Sequence, residues 1–320
     1  MSRFEEGVSS VSMSRRGFLG RLSAVAVAAP AAARAAAASR RLHLACNQYT
    51  WSVYFARDGR RFDPVAPEIV REMAACGLDG LEPTADSPDA AGRIGRALRA
   101  GGLEMRSLYV NSTLHIAEEA EKSIRNILAV AKAAKRWGTR IIVTNPNPIQ
   151  WGSTEGKTDA QLETQARALE RLGKGLNALG LRLGYHNHNM ELQHAAREFH
   201  HMMIGTDPRY VGFCLDAHWI YRGSDNSQTA LFDVVKLYGD RICELHIRQS
   251  RNGVWSEVFS AEGDIDYRRL VRELVRRGLR PHLTLEQAVE KGTPKTMSAD
   301  EALTRSARAA REVFAPLASV

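Results

Sequence analysis

Ile242-Cys243-Glu244-Leu245-His246 is a short, mostly apolar run that ends in a metal-binding residue type. Three other runs share that design: Leu183-Gly184-Tyr185-His186, Gly212-Phe213-Cys214-Leu215-Asp216 and Leu283-Thr284-Leu285-Glu286. Each is followed by a polar loop and then by a helical stretch. A buried parallel strand reads this way when its C-terminal end delivers one functional side chain. Two imidazoles and two carboxylates meeting at the mouth of a barrel form a donor set for a divalent metal.

Outward from these runs the same alternation continues. Strand-like segments fall at 42–48, 78–83, 103–110, 139–145, 181–187, 211–217, 242–248 and 281–287. Helical patterns lie at 64–77, 88–101, 116–137, 159–180, 195–205, 228–239, 266–278 and 299–314. Asp63-Pro64, Ser87-Pro88 and Asp264-Ile265-Asp266 are helix-start signals. Gly77, Gly102, Gly138, Gly180, Gly239 and Gly278 are expected to close helices in the left-handed conformation. Eight such units predict an α/β fold, a (β/α)8 TIM barrel over residues 42–320. An open doubly wound sheet would need a phosphate-cradling glycine loop after an early strand, and there is none.

Residues 1–41 are of another kind. Ser14-Arg15-Arg16-Gly17-Phe18-Leu19 is a twin-arginine signature, followed by an Ala- and Val-rich run from Ser23 to Ala38. The expectation is a signal peptide cut near Ala38 and a periplasmic or otherwise exported protein. The apolar run holds Pro30 and Arg34 and is too short to favour a membrane span, so no stable insertion is expected after cleavage. Of the formal net charge of +8, +5 lies in residues 1–41 and +3 remains in the rest. The remaining charges are scattered along helices, which argues against a nucleic-acid partner. The cysteines (46, 76, 214 and 243) show no paired spacing and read as free thiols.

In a barrel of this kind chemistry sits at the C-terminal strand ends. Polar residues collect there: Asn47, Glu82, Asn145, His186, His188, Asp216, His218, His246, Arg248 and Glu286. His43 and His282 fall at strand starts and read as structural. His186 and His188 lie two apart, so they face the same side of a strand. Both cannot easily join Asp216, His246 and Glu286 around one ion. His186 is therefore assigned to the metal, and His188 to the substrate or to support of a ligand. Glu286, His188 and Glu191 are the candidate bases. Arg248, Trp219, His218, Asn145, Glu82 and Asn47 are candidate substrate contacts. Trp51, Trp151 and Trp219 are read as upper-loop rings able to stack on a ligand.

The runs Tyr185-His186-Asn187-His188-Asn189-Met190-Glu191, Asp216-Ala217-His218-Trp219, His246 and Leu285-Glu286 resemble the xylose-isomerase-like barrels, the sugar phosphate isomerase/epimerase superfamily. Within it they look like a branch with a YHNHxxE fifth strand and a DxxW sixth. Ala261-Glu262-Gly263-Asp264-Ile265-Asp266-Tyr267 is similar to that branch's GEGxIDW segment, with Ala261 and Tyr267 departing from it. The resemblance covers nearly all of residues 42–317. It implies one divalent metal ion (Mn, Co, Mg or Zn) and a small-molecule sugar substrate, and it leaves a homodimer open. It places the ligands at His186, Asp216, His246 and Glu286. The D-psicose/D-tagatose 3-epimerases have a glutamate where this chain has His186, which puts their two-glutamate proton exchange in doubt here.

The expected activity is that of an exported, metal-dependent sugar isomerase or epimerase, abstracting a proton next to a carbonyl through a metal-stabilised enediolate. One alternative is a keto-sugar or keto-glycoside lyase (dehydratase) on the same site. Another is a degenerate sugar-binding barrel. The endonuclease-IV-like branch needs a three-zinc cluster with about twice the ligands, and this chain lacks its second Asp-x-His.

Overall fold

A computed structural model describes residues 42–320. The leader expected over residues 1–41 lies outside the described residues. Eight strands form one parallel sheet: β1 (Leu44–Asn47), β2 (Gly80–Glu82), β3 (Ser107–Tyr109), β4 (Ile141–Thr144), β5 (Arg182–His186), β6 (Val211–Asp216), β7 (Ile242–Ile247) and β10 (His282–Leu285). A small antiparallel hairpin, β8 (Ser250–Arg251) and β9 (Val254–Trp255), rises after β7. Each barrel strand lies inside the run expected for it.

The sheet order is β2-β1-β10-β7-β6-β5-β4-β3, each neighbour parallel. Between β2 and β3 the ring is closed by single bridges, Gly80 with Glu104 and Thr84 with Tyr109. There Leu81 N donates to Glu104 O at 3.0 Å and Tyr109 N donates to Pro83 O at 2.9 Å. The result is the expected (β/α)8 barrel.

The helices are α1 (Gln48–Arg57), α2 (Pro67–Ala75), α3 (Pro88–Ala100), α4 (Ala117–Lys135), α5 (Asp159–Ala178), α6 (Gln193–Ile204), α7 (Ala217–Gly223), α8 (Gln228–Tyr238), α9 (Tyr267–Arg276) and α10 (Ala299–Phe314). Eight match expected stretches; α1, α7 and the hairpin are additions. Both additional helices start directly from a strand end, where Asn47 and Asp216 serve as caps. Because α1 is a helix, Trp51 is not an upper-loop ring. It is fully buried and packs on Phe55 and Phe62, with centroids 5.8 and 6.4 Å away.

Strand alternation sorts the core. Leu44, Leu108, Ile142, Leu183, Phe213, Leu215, Leu245 and Leu285 belong to the large apolar cluster shared with the helices. Burying each such side chain contributes about 1.5–3 kcal/mol. The barrel interior holds a separate small cluster of Ile141, Val143, Cys214 and Cys243. Space there is tight: a Cβ on Gly184 would stand 3.2 Å from Cys214 Cβ and 3.5 Å from Cys243 Sγ. All four cysteines are free and buried. Of the six glycines expected to end helices in the left-handed region, five do so. Gly239 has φ −54° and begins a short 3-10 turn instead.

Candidate active site

The parallel register decides who meets whom. Asp216 on β6 is directly beside His246 on β7. His186 ends β5 beside Cys214, and Thr284 on β10 lies beside His246, so Glu286 emerges just above. One donor atom from each of His186, Asp216, His246 and Glu286 lies within 4.8 Å of the others, and all four residues are buried. Donors bound to a common ion at roughly 2.0–2.2 Å stand at most about 4.4 Å apart, so small side-chain adjustments complete the cradle.

Unpartnered atoms fit the same reading. Asp216 Oδ1 accepts from Trp219 N at 2.9 Å as the cap of α7, while its Oδ2 is buried without a hydrogen-bond partner. His186 Nδ1 is likewise buried and unpartnered. His246 Nδ1 is 3.1 Å from Glu286 Oε2, and its Nε2 is 2.9 Å from Glu82 Oε2. Glu82 thus sits behind the imidazole and favours a proton on Nε2, which leaves Nδ1 as the donor facing Glu286. Carboxylates, and imidazoles that give up the proton of their donor nitrogen on binding, suit a divalent cation.

Two other groupings share His246, one with His186 and Cys214 and one with Glu82 and Glu244. Burial pushes the Cys214 thiol well above its usual range and keeps it protonated. Burial, with Glu82 adding, pushes Glu244 up to about 8, so it holds a proton at neutral pH. The four-residue set is the more strongly charged cradle. Burial works against ionised Glu286, yet the Arg248 guanidinium and His246 hold its pKa well below the carboxylate range. Burial raises Asp216 to about 7 despite Arg248; a cation beside it would restore the charged form. Burial depresses His186 and His188, the latter to about 4, so both are neutral rings.

Arg248 occupies the rim of the cradle. Its Nη2 is 2.9 Å from Glu286 Oε2 and 3.9 Å from Asp216 Oδ2, while Nε donates to Glu286 O at 2.9 Å. The guanidinium lies 4.1 Å from the Trp255 ring centroid and 5.1 Å from that of Trp219. Arg222 packs on the same two rings, at 5.0 and 5.7 Å, and pairs with Glu290. Tyr267 Oη accepts from Arg248 N at 3.0 Å. This packing fixes a buried cation beside the candidate ligands.

Above this floor opens a cleft of about 520 Å³ lined by Asn47, Tyr49, Thr84, Tyr109, Asn111, Trp151, His186, His188, Met190, Trp219, Arg248 and Glu286, among others. Its size falls within the range of about 300–1,000 Å³ usual for small-molecule sites.

Residues 70–312 match the family described as xylose isomerase-like TIM barrel. The chain belongs to that family. Among similar proteins, the inosose dehydratase of Bacillus velezensis is 29% identical over 136 residues, which cover 37% of this chain and 44% of that protein. That of Clostridium perfringens is 25% identical over 206 residues, covering 60% of this chain and 66% of its own length. The matched part is thus less than two thirds of either relative. In fold, the chain is similar to a 3-keto-D-glucoside 4-epimerase from E. coli, with TM-score 0.64, 14% identity, and coverage of 85% and 100% of the two chains. It is also similar to a Mycobacterium smegmatis xylose isomerase-like TIM barrel protein in complex with magnesium (TM-score 0.65, 16% identity, coverage 88% and 98%). At such identities these likenesses speak for the fold alone.

On this family scaffold the residues expected at the site divide into two groups. His186, His188, Trp219, Arg248, Glu286 and Asn47 line the cleft, and Asp216 and His246 lie at its floor. Glu82, Asn145, His218 and Glu191 do not line it. Glu82 is fully buried between Asn47 Nδ2, 2.6 Å away, and His246. Asn145 Nδ2 donates to His186 O at 2.9 Å and to Glu191 Oε1 at 3.0 Å. Glu191 turns inward, where its other oxygen accepts from His188 N at 2.7 Å. It fastens the loop that carries His188 and is not placed to reach a substrate proton. His218 is buried behind Trp219 and Trp255, whose ring centroids are each 6.1 Å away.

Sequence reasoning missed Trp255 and the buried Glu244. Trp255 had a signal: Asn252-Gly253 marks a two-residue hairpin turn, and both residues have positive φ, 52° and 78°. Glu244 had none, because an inward carboxylate two residues below His246 looks like any polar residue in a strand. Its Oε1 accepts from Ser107 Oγ at 2.9 Å and Thr284 Oγ1 at 2.6 Å.

Proposed function

We propose that the chain is a divalent-metal-dependent sugar-modifying enzyme that removes a proton from the carbon next to a carbonyl, and that the usual outcome is loss of water from a keto-sugar or keto-cyclitol. The observation carrying this reading is the convergence of His186, Asp216, His246 and Glu286 on the floor of a polar cleft beside a buried guanidinium. These four residues would hold the ion. When bound, the ion would polarise the substrate carbonyl and stabilise negative charge developing on its oxygen.

The chain's own groups supply the rest. His188 lines the cleft as a ring that burial keeps neutral, and it accepts the proton. Arg248 is a buried cation in the lining of the same cleft and favours the negative charge that builds up as the proton leaves. Trp219 and Trp255 hold that guanidinium in place. The hydroxyl on the next carbon then departs as water, taking the proton that His188 received, so that His188 returns to its neutral form and a carbon–carbon double bond conjugated to the carbonyl remains.

Elimination is placed ahead of epimerisation because of Glu191. An epimerase needs an acid–base group on each face of the carbon; both Glu191 oxygens are committed to Asn145 and the His188 N–H, and Glu286 is held by Arg248 and His246. The relatives named inosose dehydratase support the same order. Epimerisation or isomerisation, with Glu286 and His188 as the two groups, is the second reading.

The test is to incubate manganese-loaded protein with a keto-cyclitol and a 3-keto-D-glucoside in deuterated water. Enone absorbance with loss of water is the expected result. Deuterium incorporation with inversion and no loss of water would move the assignment to the epimerase. No exchange and no product from either substrate would overturn the proposal.

We also propose export by the twin-arginine route, on the strength of Ser14–Leu19 and the Ala-rich run after it. A periplasmic form beginning near Ala38 by mass spectrometry is expected; full-length protein confined to the cytoplasm would refute it.

A further inference from the structure

We infer that Tyr49 and Trp151 form a stacking platform for a second, uncharged ring at the cleft mouth, so that the substrate is a keto-glycoside, with a second sugar ring attached, and not a free keto-monosaccharide. This rests on the proposed carbonyl chemistry for what happens at the floor; the platform itself stands on separate observations.

Among the described residues, the large aromatic side chains left exposed are two, Tyr49 at 46% and Trp151 at 55%, and both line the same cleft. About half of each ring stands in water, apolar surface that a ligand covering it would remove from solvent. They stand on different sides of the mouth. Tyr49 is in the first turn of α1, after β1, and Trp151 is in the loop between β4 and α5, with β2 and β3 between on the shorter way round. Trp151 makes one ring contact among the described residues, a T-shaped one with His188 at 5.2 Å and 89°. A perpendicular contact leaves indole surface free of any stacked neighbour, and the C–H face of a sugar ring is apolar enough to cover it.

Depth assigns the two halves of a substrate. His186, Glu286 and Arg248 are buried at the floor, where the reacting ring must sit. Tyr49 and Trp151 are the solvent-exposed members of the same lining, so a part of the substrate that extends outward from the floor meets them. Charge assigns the chemistry. Among the described residues Arg248 is the one Lys or Arg lining the cleft, and it is already paired with Glu286. The mouth therefore offers nothing to a phosphate and suits a neutral ring.

The test compares equilibrium binding, by titration calorimetry, of methyl β-glucoside and a β-linked glucose disaccharide to manganese-loaded wild-type, Trp151→Ala, Trp151→Phe and Tyr49→Ala proteins. Wild type should bind the disaccharide about tenfold more tightly, the factor a single aromatic stacking contact supplies. Trp151→Ala should collapse that ratio toward one, and Trp151→Phe should restore part of it. Equal affinities in wild type, or a ratio unchanged in both alanine variants, would overturn the platform. Proton exchange of the corresponding 3-keto compounds, measured in parallel, reports on the chemistry separately. A binding preference without exchange leaves the platform standing and removes the proposed reaction.

Discussion

The acids around the candidate metal site use their oxygens differently: Asp216 splits its two, whereas Glu82 and Glu286 each meet two partners through Oε2 alone. Asp216 spends Oδ1 on the first turn of α7 and keeps Oδ2 for the centre. Glu82 is taken up by Asn47 and His246. The contact to His246 has a measurable consequence. Glu82→Gln keeps the volume and removes the negative charge behind the imidazole, so metal affinity should fall about 10–100-fold by chelator competition. Unchanged affinity would mean that Glu82 does not orient His246. Arg248 tests the other side of the site. Arg248→Lys preserves the charge but loses the flat guanidinium packed on Trp219 and Trp255. Turnover should drop by about 10²-fold while metal affinity holds; activity within twofold of wild type would remove Arg248 from the mechanism. The convergence of His186, Asp216, His246 and Glu286 was legible at this scale because strand periodicity alone puts them at strand tops. Glu82 and Glu191 stand in equally suggestive positions. Their tasks depend on which atoms lie opposite, and spacing along one chain does not carry that.

At the scale of elements, the loop after β5 works as one unit. Asn187 holds the Asp216 backbone from both sides, its Oδ1 accepting from Asp216 N at 3.2 Å and its Nδ2 donating to Asp216 O at 3.3 Å. Glu191 ties the same loop to Asn145 and to the His188 N–H. Glu191→Ala leaves those buried donors without an acceptor, which costs about 1–3 kcal/mol. Urea denaturation should show that loss, with turnover falling as His188 is released. Unaltered stability would contradict the staple. The eight main strands and helices were readable from periodicity, and their ends from Pro and Gly. The helix α1 was not, since Gln48–Arg57 is rich in aromatic and β-branched residues that favour strands. Its buried Thr50, Trp51, Tyr54 and Phe55 nonetheless keep helical spacing, which outweighed local preference once a core was available to receive them.

Over the whole molecule the two ends of the barrel are built for different purposes. The upper end gathers acids, imidazoles and one buried guanidinium. The lower end buries His43 against His282, with ring centroids 5.1 Å apart, as their places at strand starts implied. Burial, then Arg106, lowers His43 from 6.5 to about 4, against the opposing pull of Asp79 and Glu104. The unfolded chain therefore takes up a proton below pH 6.5 that the folded chain refuses until about pH 4. Stability should decline as pH falls through that window, and His43→Gln should flatten the slope in urea denaturation series. A slope that survives the substitution would assign it to other groups, His282 first. What decides the functional account is whether His186, Asp216, His246 and Glu286 hold one ion in common. Anomalous diffraction from crystals of the manganese-loaded protein tests this directly. A single peak about 2.0–2.3 Å from one donor atom of each of the four residues is predicted. No peak in the barrel, or a peak centred on Glu82 and Glu244 instead, would contradict it.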